Sequence, residues 1–341
     1  MKEFTIGTNE SGQRLDKYLG KLLSKASMSF IFKMLRKKNF TLNGKKAAGN
    51  EILATGDQVK LFLSDETFDK FSSKTPEITA GFMRASKLRL AVLYEDEDIV
   101  VFNKPAGILS QRAEKEDVSV NDYLLYYLLS EKKLSAAELK TFKPSIANRL
   151  DRNTSGLILC GKSLAGLQYL SAILKDRSLH KYYRCLVVGK LTDAVTVEGY
   201  LVKNSAKNTV SITQTPSDAA GASYIQTGIV PIKTYRWHGK DYTELSIHLI
   251  TGKTHQIRAH LSSIGHPIIG DVKYGLQKSE PLSKALGIKR QLLHAYKLYF
   301  PNNQSDKMQT LSGKKLIAPL PQDYENVLKE LENGNMEQQR S

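Results

Sequence analysis

A chain of 341 residues, 41% hydrophobic and 25% charged, has the make-up of a globular protein long enough for two domains and a core able to hold a rigid site. No apolar run reaches the ~18 residues that cross a bilayer, and the opening "MKEFTIG" has no apolar signal core, which sets aside membrane and secreted proteins and leaves a cytoplasmic one as the expectation. Lys and Arg number 50 against 34 Asp and Glu, a net +16, and such an excess asks for a polyanionic partner, nucleic acid before an anionic membrane.

The charge is clustered. Residues 13–48 hold ten cations (Arg14, Lys17, Lys21, Lys25, Lys33, Arg36, Lys37, Lys38, Lys45 and Lys46) and one acid, Asp16, so +9 of the +16 sits in this segment. Leu15, Leu19, Leu22 and Leu23 are spaced as one face of a helix, and Lys17, Lys21 and Lys25 fall on another. "FIFKMLRKK" reads as a second helix. Asn43-Gly44 in "FTLNGKKA" is a two-residue hairpin turn, and "GDQVKLFL" is a further strand. Together these make a compact helix–helix–hairpin unit over residues 1–63. This unit resembles the alpha-L type RNA-binding domain, and the resemblance implies an RNA-contacting surface that includes Lys17, Lys21, Arg36, Lys37 and Lys38.

Residues 64–88 show no clean period and are rich in Ser, Thr and charge, so they read as a linker. Beyond them strands and helices mix. "LAVLYEDEDIVVFNKPAG" gives two strands around an acidic turn, with helical runs at about 118–140. Leu157 to Cys160 form a strand, followed by a helix near 163–175 and the strand "KYYRCLVVG". "IVPIKTYRW" and "YTELSIHLI" pair through "HGKD"; "THQIRAHLSSIG" is helical, "LLHAYKLYF" a late strand and "DYENVLKELE" a closing helix. The order is not a βαβ repeat. The expected fold is α+β: the small helical-hairpin domain, then a mixed, largely antiparallel sheet with flanking helices over residues 89–332, and a frayed tail at 333–341.

Cys160 and Cys185 lie in apolar strand-like runs and read as buried small hydrophobes. His255, His260 and His266 are close in sequence, but spacings of five and six do not stack one helix face, and no metal site is expected.

The chemistry concentrates in "NRLDRNTSGLILCGKS", where Asp151 stands between arginines at the edge of an apolar strand. Taken with "DEDIVVFNKPAGI", "HKYYRCLVVGK", "LITGKTHQIRAHLSSIGHPIIGDVKYG" and "LLHAYKLYF", in that order, the sequence is similar to the RluA family of pseudouridine synthases, and most like its RluC and RluD branch. The resemblance runs from about residue 13 to 325. It implies a monomeric, cofactor-independent isomerase that detaches uracil from its ribose, turns it and rejoins it through carbon 5. It implies large-subunit ribosomal RNA as the substrate, with transfer RNA second and a noncatalytic RNA-binding or assembly factor as the reading from another class.

The residues fit that chemistry on their own terms. An oxygen nucleophile must stay ionised in a water-poor pocket, and an aspartate does so when an arginine accompanies it. Asp151 matches the family's catalytic aspartate, Arg258 its paired arginine and Tyr183 its active-site tyrosine, whose ring can stack on uracil and whose hydroxyl can assist removal of the carbon 5 proton. Tyr182 would point to the other strand face. The resemblance assigns Arg149 to the nucleic acid, filling the space left by the extruded base. Thr154 and Gly156 shape the turn that presents Asp151. Asn148 stands where the family's usual string has His and reads as a hydrogen-bonding support, because Asn cannot shuttle a proton. Lys253 replaces a more usual Arg, keeping the charge and losing the planar fork.

Overall fold

The computed structural model describes residues 1–72, 80–135, 138–204, 209–216, 222–275, 281–302 and 308–338. The chain opens with strand β1 (Lys2–Thr5), then helices α1 (Leu15–Leu22) and α2 (Met28–Arg36), the hairpin β2 (Phe40–Leu42) and β3 (Lys45–Lys46), and β4 (Gln58–Leu61). Leu15, Leu19, Leu22 and Leu23 are all buried, and Lys17, Lys21 and Lys25 are exposed, so the leucine face turns inward and the lysine face outward. The Ser27 hydroxyl accepts the Phe30 amide and starts α2. Asn43 and Gly44, with φ of 51° and 73°, make the tight turn. The strands order as β1-β4-β2-β3. Strand β1 has too little sequence signal to be anticipated: four residues, of which only Phe4 packs against the core of this unit.

The span read as a linker begins with helix α3 (Asp65–Phe71), capped by Ser64 accepting the Thr67 amide, and ends with α4 (Ala80–Ala85). Residues 73–79 lie outside the described residues. Phe68 stacks on Phe4 at 5.8 Å and Phe71 meets Phe30 at 4.5 Å, so α3 seals the small core. Two aromatics three residues apart give a stripe too narrow for the periodicity to register.

The rest is built on one large sheet. In chain order come β5 (Ala91–Glu95), β6 (Ile99–Lys104), α5 (Val120–Ser130), β7 (Ser145–Ile146), β8 (Ser155–Gly161), α6 (Leu164–Lys175), β9 (His180–Val188), β10 (Val195–Asn204), β11 (Thr209–Thr213), β12 (Ser223–Trp237), β13 (Lys240–Leu249), α7 (Gln256–Ser263), α8 (Pro281–Ala285), β14 (Leu293–Tyr299), β15 (Lys315–Ile317) and α9 (Gln322–Gln338). The strand order is β11-β10-β12-β13-β9-β14-β8-β6-β5, with β15 paired to β14 and β7 to β8. Every described pair is antiparallel except β14 with β8.

Helix α5 packs over Val100, Phe102, Ile158 and Cys160, while α6 packs over Ile99, Val101, Leu157 and Leu159. Strands β6 and β8 are thus covered on both faces, which is why "IVVF" and "LILC" are unbroken apolar runs. Helix α7 sets Ile257 and Leu261 against Tyr183, Cys185, Leu245, Ile247, Leu293 and Ala295. Helix α9 seats Tyr324, Val327 and Leu331 on Leu186, Tyr235 and Tyr242. It runs on to Gln338, past the point where fraying was expected. Gly334 lies so close to Trp237 that a Cβ there would stand 3.0 Å from the indole. Both cysteines are buried and free. Among the described residues no helix is long and apolar enough to cross a membrane.

The parallel contact of β8 with β14 fixes where Asp151 emerges. Gly156 adopts φ +115°, and a Cβ on it would lie 2.2 Å from the Ala295 carbonyl oxygen. Only glycine allows this approach. Gly156→Ala combines a backbone clash with a conformation L-residues avoid, and should cost about 3 kcal/mol or more of stability. Urea denaturation checks this, and a loss under ~1 kcal/mol would mean that β8 and β14 can separate at little cost.

Candidate active site

Asp151 sits in the loop between β7 and β8, and the backbone around it is held at many points. Ser110 Oγ donates to the Leu150 carbonyl at 2.8 Å and accepts the Leu150 amide at 3.0 Å. Lys104, at the end of β6 and fully buried, donates to the carbonyls of Pro105, Ile108 and Arg152 at 3.0, 2.8 and 3.0 Å. The Gly107 amide reaches the Arg152 carbonyl at 2.9 Å, and the Thr154 amide closes a turn on the Asp151 carbonyl at 3.1 Å. Thr154 Oγ1 accepts from Gln291 at 3.4 Å. Asn148 accepts the Leu159 amide at 2.7 Å and donates to the Leu157 carbonyl at 3.3 Å, pairing with β8 through its side chain as a strand residue does through its backbone. Both contacts suit an amide, which offers a donor and an acceptor together.

Arg258, on α7, brings the charge. Its Nη1 donates to Asp151 Oδ2 at 2.9 Å. The other side of the fork grips a second carboxylate: Nε to Asp271 Oδ2 at 2.7 Å and Nη2 to Asp271 Oδ1 at 2.8 Å. Asp271 Oδ1 also accepts the amides of Lys273 at 2.9 Å and Tyr274 at 3.1 Å. The side chains of Arg258, Asp271 and Asp151 are 6%, 0% and 27% exposed, so the cluster is dry on the arginine side and opens at Asp151. Burial acts to raise the Asp271 carboxyl, but Arg258 and the two amides outweigh it and hold it below the usual carboxylate range. Burial acts against the Arg258 charge, and the two carboxylates overcome it, raising the guanidinium further.

Tyr274 covers this arginine, its ring centroid 5.1 Å from the guanidinium carbon. Its hydroxyl accepts the Val210 amide at 2.8 Å and lies 2.9 Å from His255 Nδ1. The other ring nitrogen of His255 is 3.8 Å from Asp151 Oδ2. His255 caps α7 in a left-handed conformation, φ 54°. Burial lowers its pKa, Asp151 opposing and Arg258 assisting.

Tyr183 lies on β9 with 6% exposure, in the cluster that contains Leu150 and Ile257, the neighbours of Asp151 and Arg258 in sequence. Burial first, then the charge of Asp151, raises its hydroxyl well above an ordinary phenol. Tyr182 is on the opposite face, stacked on His248 at 4.7 Å under the Lys297 ammonium. Asp151, Tyr183 and Arg258, chosen from sequence, are therefore brought together.

Asp271, Lys104, Ser110 and Tyr274 were not singled out, and His255 was weighed only as a metal ligand. Asp271 and Tyr274 lie in "GDVKYG", thirteen and sixteen residues after Arg258. The available signal for Lys104 was a lysine closing an otherwise apolar strand. His260 pairs with Thr227 at 2.8 Å and His266 with the Val188 carbonyl at 2.9 Å, so the three histidines each serve a local partner.

Arg149 is exposed two residues before Asp151, with no side-chain hydrogen bond to the described residues. Lys253 is exposed; its backbone amide donates to Gln256 at 3.1 Å. Lys17, Lys21, Arg36, Lys37 and Lys38 are exposed in the N-terminal unit, whose core is separate from the cluster that holds Tyr183. Lys21 donates to Gln13 at 2.9 Å. Arg36 borders a shallow depression with Phe32 and Lys46, and Lys38 another with Lys60 and Phe62.

Comparison with known proteins adds an independent line. Residues 98–263 match the family model described as RNA pseudouridylate synthase. The chain is 27% identical over 333 residues to the ribosomal large subunit pseudouridine synthase C of Vibrio vulnificus, covering 96% of this chain and 95% of that one. It is 29% identical over 331 residues to the ribosomal large subunit pseudouridine synthase D of Borreliella burgdorferi, covering 95% and 90%. Among solved structures, human RNA pseudouridylate synthase domain containing 4 superposes with a TM-score of 0.56 at 22% identity, over 74% of this chain and 97% of that one, a likeness of fold. The family match spans β6 to α7, the stretch that supplies Asp151, Tyr183 and Arg258. The match of this stretch to RNA pseudouridylate synthases, and the likeness of nearly the whole chain to large-subunit synthases C and D, support the RluA family, RluC- and RluD-like, and an isomerase.

Proposed function

We propose that the protein converts uridine to pseudouridine in large-subunit ribosomal RNA, with Asp151 as the nucleophile, Arg258 holding it, and the N-terminal unit, residues 1–63, anchoring the RNA. The observation that carries the catalytic part is the 2.9 Å contact between Arg258 Nη1 and Asp151 Oδ2, made by a guanidinium already fixed on its other side by Asp271. The ribosomal target rests on the relatives, which include large-subunit synthases C and D. That substrate places the enzyme in the cytoplasm.

The steps follow from the geometry. The target base leaves its stack, since its glycosidic bond is unreachable within a helix, and the exposed Arg149 takes its place. The base enters over the Tyr183 ring. Asp151, open on the side away from Arg258, attacks ribose carbon 1′ and forms an ester as the bond to uracil nitrogen 1 breaks and the uracil leaves with the electron pair; the base turns, and its carbon 5 takes carbon 1′ back and releases the carboxylate. Burial and the Asp151 charge hold the Tyr183 hydroxyl neutral, and this hydroxyl serves the last step, in which the rejoined base loses its carbon 5 proton and nitrogen 1 takes one up. Asn148, Thr154 and Gly156 support the loop and take no part in proton transfer.

Asp151→Asn keeps the size and removes the nucleophile. It should abolish pseudouridine formation while RNA affinity stays within about threefold, a change under ~1 kcal/mol. Digestion of treated ribosomal and transfer RNA to nucleosides checks this, and with the parent enzyme it identifies the RNA class. Substantial pseudouridine from the pure variant would remove Asp151 from the role.

The anchor is tested in the full chain by combining Arg36→Ser, Lys37→Ser and Lys38→Ser. Each lost phosphate contact flattens the log–log salt dependence of RNA binding by about 0.7–0.9, so three contacts should lower the slope by roughly 2–3. An unchanged slope would assign this surface to something other than RNA.

A further inference from the structure

Strand alternation puts Lys181 on the same face of β9 as Tyr183, two residues away and so about 7 Å along the strand. Lys181 is 8% exposed. Its ammonium makes no hydrogen bond or ion pair with the described residues, whereas the other deeply buried lysine, Lys104, satisfies three carbonyls. The Lys181 Nζ lies beside the loop that joins β13 to α7: a Cβ on Gly252 would stand 3.8 Å from it. The same loop leads to His255 and Arg258.

The surrounding charges are cationic. Arg177, exposed just after α6, adds to burial in pushing the Lys181 ammonium below its ordinary value. On the other face, His248 is lowered by burial and by the fields of His180, Lys181 and Lys297. No carboxylate is among the groups that act on Lys181. A buried ammonium without a partner is costly, and nothing in the packing of the described residues repays it.

We propose that Lys181 and the Gly252 loop form an anion seat that receives a backbone phosphate of the RNA beside the target uridine. An RNA phosphate supplies the missing charge and acceptor together, and the adjoining glycine leaves the space for it. Arg177 extends the positive field outward from the seat. Lys181 is then a positioning residue: it fixes the strand next to the extruded base and does not touch the reacting atoms. The inference rests on the reading of Asp151, Tyr183 and Arg258 as the isomerising site.

Full-length Lys181→Met and Lys181→Arg test it, with melting temperature, salt dependence of RNA binding, and KM and kcat of pseudouridine formation as readouts. Lys181→Met removes an unpaired buried charge and keeps the stem, so it should melt at the parent temperature or above. It should flatten the log–log salt slope by about 0.7–0.9, one phosphate. KM should rise roughly tenfold, as for loss of a charge-assisted hydrogen bond, with kcat moving less. Lys181→Arg should keep the parent's slope. A lower melting temperature with unchanged slope and KM would make Lys181 structural and overturn the proposal. A raised KM with an unchanged slope would overturn the phosphate assignment in favour of a contact to the base. A parent enzyme that binds RNA but forms no pseudouridine would sink the catalytic reading alone, since the slope comparison still decides the seat.

Discussion

One guanidinium serves two carboxylates, and the site depends on that sharing. Asp271, fully buried, takes Nε and Nη2 of Arg258 in a parallel fork. This fixes the plane of the arginine and leaves Nη1 directed at Asp151. Removing one member of a buried ion pair typically costs about 3–5 kcal/mol, because the other is left charged and unsolvated. The arginine is therefore committed before substrate arrives, and reorganisation at the moment of reaction is small. The asymmetry of exposure matters as well. Asp151 is the only one of the three with appreciable access to solvent, so it is held on one side and available on the other.

Around this cluster the backbone is fixed by groups with no part in the chemistry. Lys104 gathers three carbonyls, one belonging to Arg152 beside Asp151. Burial pushes its ammonium down to about 7, yet three carbonyl acceptors call for three N–H donors, which only the charged form has. Ser110 clamps Leu150 on the other flank, and Gly156 lets β8 meet β14 at a distance no side chain tolerates. A carboxylate on a loop thereby gains the precision of one on a strand. Lys181 contrasts with Lys104: similar burial, no acceptors among the described residues, and a place beside the loop that leads into α7 and Arg258.

Much of this was legible in the sequence. Asn43-Gly44 marked its hairpin, the leucine stripe marked α1, and "LILC" marked a strand buried on both faces. The trio Asp151, Tyr183 and Arg258 could be chosen because each sits in a long motif whose order along the chain is informative, and strand alternation separated Tyr183 from Tyr182. What escaped depends on tertiary contacts. Asp271 lies thirteen residues beyond Arg258, past the end of α7 and outside any helical spacing, so its grip on the arginine has no local pattern. Lys104 looks like the polar end of a strand until the carbonyls that surround it are brought in from two loops. Helix α3 was hidden because two phenylalanines among charged residues make no periodic face.

The most direct test is the rate of pseudouridine formation by Asp271→Asn, measured where circular dichroism shows the variant folded. Asn keeps the shape and removes the charge that orients Arg258, so kcat should fall by about a hundredfold or more, ~2.7 kcal/mol in the barrier, although Asp271 is buried and touches no substrate. A folded Asp271→Asn enzyme with kcat within about twofold of the parent, under ~0.5 kcal/mol, would show that Arg258 needs no second carboxylate to hold Asp151, and would contradict the account.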